Sequence, residues 1–163
     1  MTRGRKAVRR RILVAAAVVL AFAVAAFALL AGQDEPKADP SDEAQVASGR
    51  ALYLTHCAAC HGRNLEGQPD WRQRLPSGRM PAPPHDDSGH TWHHPTAVLF
   101  GITKHGLVPP FAPPGYQSDM PGFGRALADE QILAVLAYIK SRWSPKVRAT
   151  QAATDAQAER RRP

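Results

Sequence analysis

Cysteine is scarce in this 163-residue chain: Cys57 and Cys60 are the only two. Two cysteines cannot build a disulfide-stapled scaffold, nor a four-cysteine zinc or iron–sulfur site within one chain. Convincing strand alternation is missing, and so is any internal repeat, which leaves helices as the regular elements. Acidic residues are absent from the first 31 positions, where six of the 21 basic side chains lie: Arg3, Arg5, Lys6, Arg9, Arg10 and Arg11. The formal net charge of +7 therefore belongs mainly to that end, with a smaller share from Arg160, Arg161 and Arg162. From Asp42 to Trp143, nine basic residues stand against nine acidic ones. A folded part so balanced carries no general field for nucleic acid, and no nucleic-acid partner is expected.

Long hydrophobic runs are limited to one. Ile12 to Ala31 has 20 residues without a charge, a Pro or a Gly. At about 1.5 Å per helical residue it matches a bilayer core of roughly 30 Å. The basic block before it predicts a cytoplasmic N-terminus. Residues 1–11 thus read as a cytoplasmic basic segment and residues 12–31 as a transmembrane signal-anchor helix. Everything after Gly32 would be periplasmic, in a single-pass protein of a bacterial inner membrane. A cleaved signal is the alternative, but its apolar core spans only about 7–15 residues. No Cys follows Leu30-Ala31-Gly32, so lipoprotein processing is excluded.

Residues 32–41 are charged and carry two Pro, and read as a linker. Ser41 is a candidate cap for a first helix to about Ala58, with Asp42 and Glu43 in its first turn. A second helix is predicted from Pro95 to His105, with Gly106 just past its end. A third is predicted over 128–143, where Ile132, Val135, Leu136, Ile139 and Trp143 recur at helical spacing and Pro145 stops it. Residues 71–92 and 106–124 are rich in Pro and Gly and read as loops. Residues 144–163 read as a mobile tail. Three modest helices give a thin core, and domains of this size usually need a metal or cofactor as a staple.

Cys57-Ala58-Ala59-Cys60-His61 supplies one. C-x-x-C-H is the haem-attachment signature. Two thiols about one helical turn apart can add to the two vinyl groups on one porphyrin edge, and the next residue places an imidazole beneath the iron. A thioredoxin-like dithiol, half a zinc site and a structural disulfide are the bland readings of the same residues. The dithiol lacks a preceding strand, and the zinc site lacks another Cys pair. A six-coordinate haem needs a distal ligand, and two internal methionines, Met80 and Met120, both precede Pro. Met120 lies 59 residues after His61 and Met80 only 19. A chain leaving the proximal side must travel around the porphyrin edge, and the longer excursion favours Met120.

With these residues in view, about Ser48 to Trp143 resembles the class I cytochromes c, small monohaem electron carriers, here of a bacterial membrane-anchored type. Gly49, Tyr53 and Cys57 repeat that family's Gly–aromatic–Cys spacing. Leu136-Ala137-Tyr138-Ile139-Lys140 is similar to its last-helix motif, and Met120-Pro121-x-Phe123 to its distal segment. The resemblance implies an all-α cytochrome c fold, with three main helices around one covalent haem c, over residues 42–143. It also implies that Gly49 lets the last helix approach closely and that Tyr53 and Tyr138 pack where the helices meet. Cys57 and Cys60 would attach the haem, and His61 and Met120 would hold its iron. The implied function is single-electron transfer without a substrate site, hence no enzyme. Partners would be a quinol-oxidising complex, a dehydrogenase, a copper oxidase or a terminal oxidase. An insert from about 65 to 114 departs from the simplest members. It carries His85, His90, His93 and His94, a possible second site for Cu or Zn. A metal-handling haem protein is therefore the alternative function, with a peroxidase or gas sensor behind it, which would need an open distal position.

Overall fold

The computed structural model describes Val19, Leu20, Phe22 and residues 37–161. From Lys37 onward these form one compact unit. Its elements are α1 (Glu43–His56), α2 (Ala58–His61), a short 3-10 turn (Thr91–His93), α3 (Thr96–His105), α4 (Asp129–Ser141) and α5 (Pro145–Glu159). No strand occurs among the described residues, so the fold is all-α as expected.

Helix α1 starts at Asp42, one residue beyond the predicted cap, because the Asp42 carboxylate accepts the Gln45 N–H at 3.0 Å. Ser41 instead bonds back to Asp39. The start of α4 is closed by Gln131, whose side-chain oxygen accepts the Ala128 N–H at 2.9 Å. Helices α1 and α4 pack against each other over the heart of the core. A Cβ on Gly49 would lie 1.8 Å from the Ala134 carbonyl oxygen, so only glycine permits this approach. Four residues on, Tyr53 is wholly buried, with its ring 5.3 Å from that of Tyr138. Both features implied by the family resemblance are present. Leu65, Leu99, Ile132, Val135, Leu136, Ile139 and Trp143 are among the other buried residues.

Residues 144–163 were expected as a mobile tail, yet residues 145–159 form a helix. Ser144 accepts the Val147 N–H, and Pro145 takes the first turn, where its missing N–H costs nothing. The contacts that order it lie far away in sequence. Helix α3 begins after Pro95, which has no side-chain oxygen to cap it. Asp155 serves instead: its carboxylate accepts the Thr96 N–H at 2.5 Å and the Thr96 hydroxyl at 2.6 Å. Buried Lys140 donates to Thr96 Oγ1 at 2.5 Å and pairs with Asp155 at 3.3 Å. Buried Gln151 donates to Asp155 at 3.0 Å. Helical periodicity shows little of this, because α5 is tied down by polar bonds rather than by an apolar stripe.

The N-terminal transmembrane helix expected for residues 12–31 is corrected. Among the described residues, no helix is long and apolar enough to cross a membrane. Apart from Val19, Leu20 and Phe22, that run lies outside the described residues. The membrane-anchored type, the tether, and the single-pass inner-membrane and periplasmic placement rested on that helix alone, read from hydropathy and flanking charge. They are given up with it.

Two expected outcomes test this packing. Gly49→Ala should cost at least about 1–3 kcal/mol, since backbone, not a pliable side chain, occupies the space; thermal unfolding checks it. Asp155→Ala should cost about 2 kcal/mol, because it strands a buried lysine and uncaps α3. Burial alone would raise the Asp155 carboxyl, but its bonds from Thr96, the Lys140 charge and Gln151 hold it below its ordinary value. The stability it adds is thus complete above about pH 4 and is lost as the pH falls through that lowered value. Denaturant midpoints measured from pH 6 to pH 3 should converge for wild type and variant at the acid end.

Candidate functional site

The site begins where α1 ends. Cys57 closes that helix, its N–H bonded to the Tyr53 carbonyl at 2.8 Å. The chain then winds through the single turn of α2, with the Cys60 and His61 N–H groups both bonded to the Cys57 carbonyl. Gly62 stops the turn at φ +81°, a left-handed conformation that suits glycine. Cys57, Cys60 and His61 thus share one helical turn. The two cysteines form no disulfide with each other; Cys60 is exposed and Cys57 half-buried. Burial, and secondarily the neighbouring Cys60, pushes the Cys57 thiol up to about 11.

His61 is 7% exposed and doubly fixed. The Tyr53 hydroxyl donates to the carbonyls of His61 at 3.3 Å and Gly62 at 3.0 Å, tying the turn to the core. The His61 Nδ1 lies 2.8 Å from the Pro83 carbonyl oxygen. A carbonyl only accepts, so the proton sits on Nδ1 and the lone pair on Nε2. Burial lowers the imidazole below its ordinary value, with the Pro83 bond opposing. A neutral imidazole with Nδ1 committed and Nε2 free for a metal is the form in which histidine ligates iron. Two thiols and this imidazole on one turn form a donor set that fits a haem c. Pro83 was not foreseen. Its only sequence signal is a Pro-Pro pair, which offers two carbonyls and no N–H.

Met80 and Met120 are both half-buried, and their loops meet. Arg79 and Asp119, each just before a Met-Pro pair, form an ion pair. Three residues after Met80, however, comes Pro83, whose carbonyl binds the His61 imidazole. An extended chain of three residues spans only about 10 Å. Met120 belongs to a segment laid along the end of α3: the Phe123 and Gly124 N–H groups bond to the Thr103 and Lys104 carbonyls, both at 2.9 Å. The Phe123 ring stands edge-on to His56 at 6.1 Å, next to Cys57 in the chain.

The four insert histidines do not assemble into a second site. His85 stacks on His61 and bonds Thr91 through Nδ1. His90 stacks on Trp71, and His93 on Trp92. His90 and His94 approach edge-to-face, with centroids 5.5 Å apart. Among the described residues, no three His, Cys, Asp or Glu stand together to hold a metal ion. These rings are taken up in aromatic stacking and do not bring three donors together for copper or zinc.

The family model for cytochrome c matches residues 46–143. The chain is 29% identical over 126 residues to the cytochrome c subunit of the quinone alcohol dehydrogenase of Komagataeibacter europaeus, covering 72% of this chain and 25% of that one. It is 33% identical over 95 residues to the cytochrome c subunit of the cytochrome bc1 complex of Mycobacterium tuberculosis, covering 49% and 34%. The gluconate 2-dehydrogenase cytochrome c subunit of Pantoea cypripedii is 29% identical over 114 residues, covering 70% and 24%. The chain therefore spans only a quarter to a third of the length of these relatives. Among solved structures, cytochrome cL of Methylophaga aminisulfidivorans matches with 22% identity and a TM-score of 0.43, covering 76% of this chain and 70% of that one. The family match takes in the Cys57–His61 turn, the Met120 segment and α4, and extends over more than half of the chain. The chain belongs to the cytochrome c family.

Proposed function

We propose that this protein is a monohaem c-type cytochrome that passes single electrons between redox protein partners. The carrying observation is His61, buried, neutral and fixed by Pro83 through Nδ1, on the same turn as two cysteines that are not paired with each other. Cys57 and Cys60 would hold haem c through thioethers, and His61 Nε2 and Met120 Sδ would ligate the iron. When bound, the group supplies a one-electron iron couple. The chain supplies a ligand frame that does not rearrange: the Tyr53 hydroxyl holds the turn, Pro83 holds the imidazole, and Pro121 stiffens the Met120 segment. With His61 and Met120 both serving as iron ligands, no substrate would need to approach the metal.

We assign residues 42–143 to the haem domain, with the insert at about 65–114 and α5 as an appendage beyond it. The relatives are named as subunits of an alcohol dehydrogenase, a gluconate dehydrogenase and a bc1 complex. That supports a dehydrogenase or a quinol-oxidising complex as the partner, ahead of a copper or terminal oxidase. No grouping of the insert histidines favours a metal-handling role.

Protein matured with the haem-attachment machinery should carry one haem mass and no free thiol; a mass spectrum with both thiols free refutes the assignment. Met120→Ala should abolish the sulfur-to-iron charge-transfer band of the oxidised protein and lower the midpoint potential, because thioether sulfur favours ferrous iron. Met80→Ala should leave both nearly unchanged. Optical spectra and redox titration of the two variants decide the ligand, and loss of the band in Met80→Ala alone would transfer the assignment.

A further inference from the structure

His85 belongs to the insert, yet it lies against the core of the site. Its ring stacks face to face on His61, with centroids 4.0 Å apart and planes within 23°. The residue is fixed on every side. Its N–H donates to the Leu65 carbonyl at 2.7 Å. Its carbonyl accepts the Trp143 indole N–H at 2.8 Å, a bond reaching from the end of the last family helix. The Tyr53 ring stands edge-on to it at 6.2 Å. The Thr91 hydroxyl lies 2.8 Å from Nδ1 and donates its own proton to the Pro84 carbonyl at 3.4 Å. With that proton spent, Thr91 Oγ1 accepts, and His85 Nδ1 is the donor.

We propose that His85 is a positioning residue that sets the plane of the His61 imidazole, with Thr91 holding His85 in turn. The inference rests on the reading of His61 as the iron ligand. One hydrogen bond fixes one atom of a ring: the Pro83 carbonyl directs Nδ1, and the tolerance of hydrogen-bond angles leaves the plane free to rock. A second flat ring in contact removes that freedom, because rocking would open a gap on one edge and a clash on the other. A leucine would fill the same space without defining a plane. An imidazole does both, since its edge can be tied down, here to Thr91. Three elements thereby converge on one ring: the proline segment through Nδ1, the 3-10 turn through His85, and α4 through the bond from Trp143. Outer partners of this kind orient metal ligands and tune what the metal does.

The plane of an axial imidazole decides which iron orbital holds the unpaired electron of the oxidised low-spin haem. It thereby spreads the haem-methyl proton resonances. Those resonances are the readout, recorded on oxidised holoprotein of wild type, His85→Leu, Thr91→Val and Thr91→Ser. His85→Leu should change the spread and order of the methyl resonances while the haem stays attached and Met-ligated. Thr91→Val should move them in the same direction by a smaller amount, and Thr91→Ser, which restores the acceptor, should return the wild-type pattern. A change in stability alone would leave the pattern of the folded fraction untouched. A wild-type pattern in His85→Leu overturns the proposal. If that variant does not assemble, a wild-type pattern in Thr91→Val overturns it instead. Wild-type protein that takes up no haem would refute the underlying reading and not this one.

Discussion

The close crossing of α1 and α4 at Gly49 is the constraint from which the rest follows. With the Ala134 carbonyl oxygen where a Cβ would be, the two helices meet backbone to backbone. That closeness places Tyr53, one turn along, between the helices and against Tyr138. The Tyr53 hydroxyl then reaches past the end of α1 to the carbonyls of His61 and Gly62. A helix–helix contact is thus converted, through one phenol, into the position of the turn that carries both thiols and the imidazole. Any widening of the crossing would withdraw the hydroxyl and loosen that turn.

The long segment between α2 and α3 has no regular structure beyond the 3-10 turn, and it is ordered around the His61 ring instead. Backbone bonds return it to the site at several points: Gly67 N–H to the His61 carbonyl, and His85 and Asp86 N–H groups to the Leu65 carbonyl. Pro83 and His85 lie two residues apart and address different parts of the same imidazole, its edge and its face. Proline suits this work because it offers a carbonyl without an N–H that must be satisfied elsewhere. If this chain carries electrons through His61-bound iron, as proposed above, such fixing matters, since the less the ligands move between two oxidation states, the smaller the barrier to exchange.

What could be read in the sequence was what local chemistry dictates. C-x-x-C-H, the Gly–Tyr–Cys spacing and the apolar period of α4 each involve residues separated by a few turns at most. The all-α class followed from them, and the resemblance to the cytochromes c that they carry implied the Gly49 contact. Partnerships across long separations could not be read. Pro83 binds His61 over 22 residues, and Asp155 caps α3 over 59. Neither carries a periodic signal. The insert histidines misled for a related reason: composition counts imidazoles, whereas ligation needs their lone pairs to converge. The apolar run at 12–31 was interpreted from hydropathy and the basic block before it, and no described helix of the chain bears that interpretation out.

Helix α5 shows how such a fold can grow beyond its family boundary without rebuilding the core. The family match ends at Trp143, where the indole N–H already binds the His85 carbonyl. Directly after it, the Ser144 N–H bonds the Asp87 carboxylate at 3.0 Å, so the chain leaves α4 pinned to the insert. Asp155 and Gln151 then fasten the far part of α5 to Thr96 at the start of α3, and Gln151 also donates to the His94 carbonyl at 3.4 Å. The helix therefore brackets the 85–96 segment, which contains His85, Thr91 and the 3-10 turn. A segment bracketed at both ends has few ways to move its middle. The polar network around Asp155, remote from the thiols, helps keep the ring behind His61 in place.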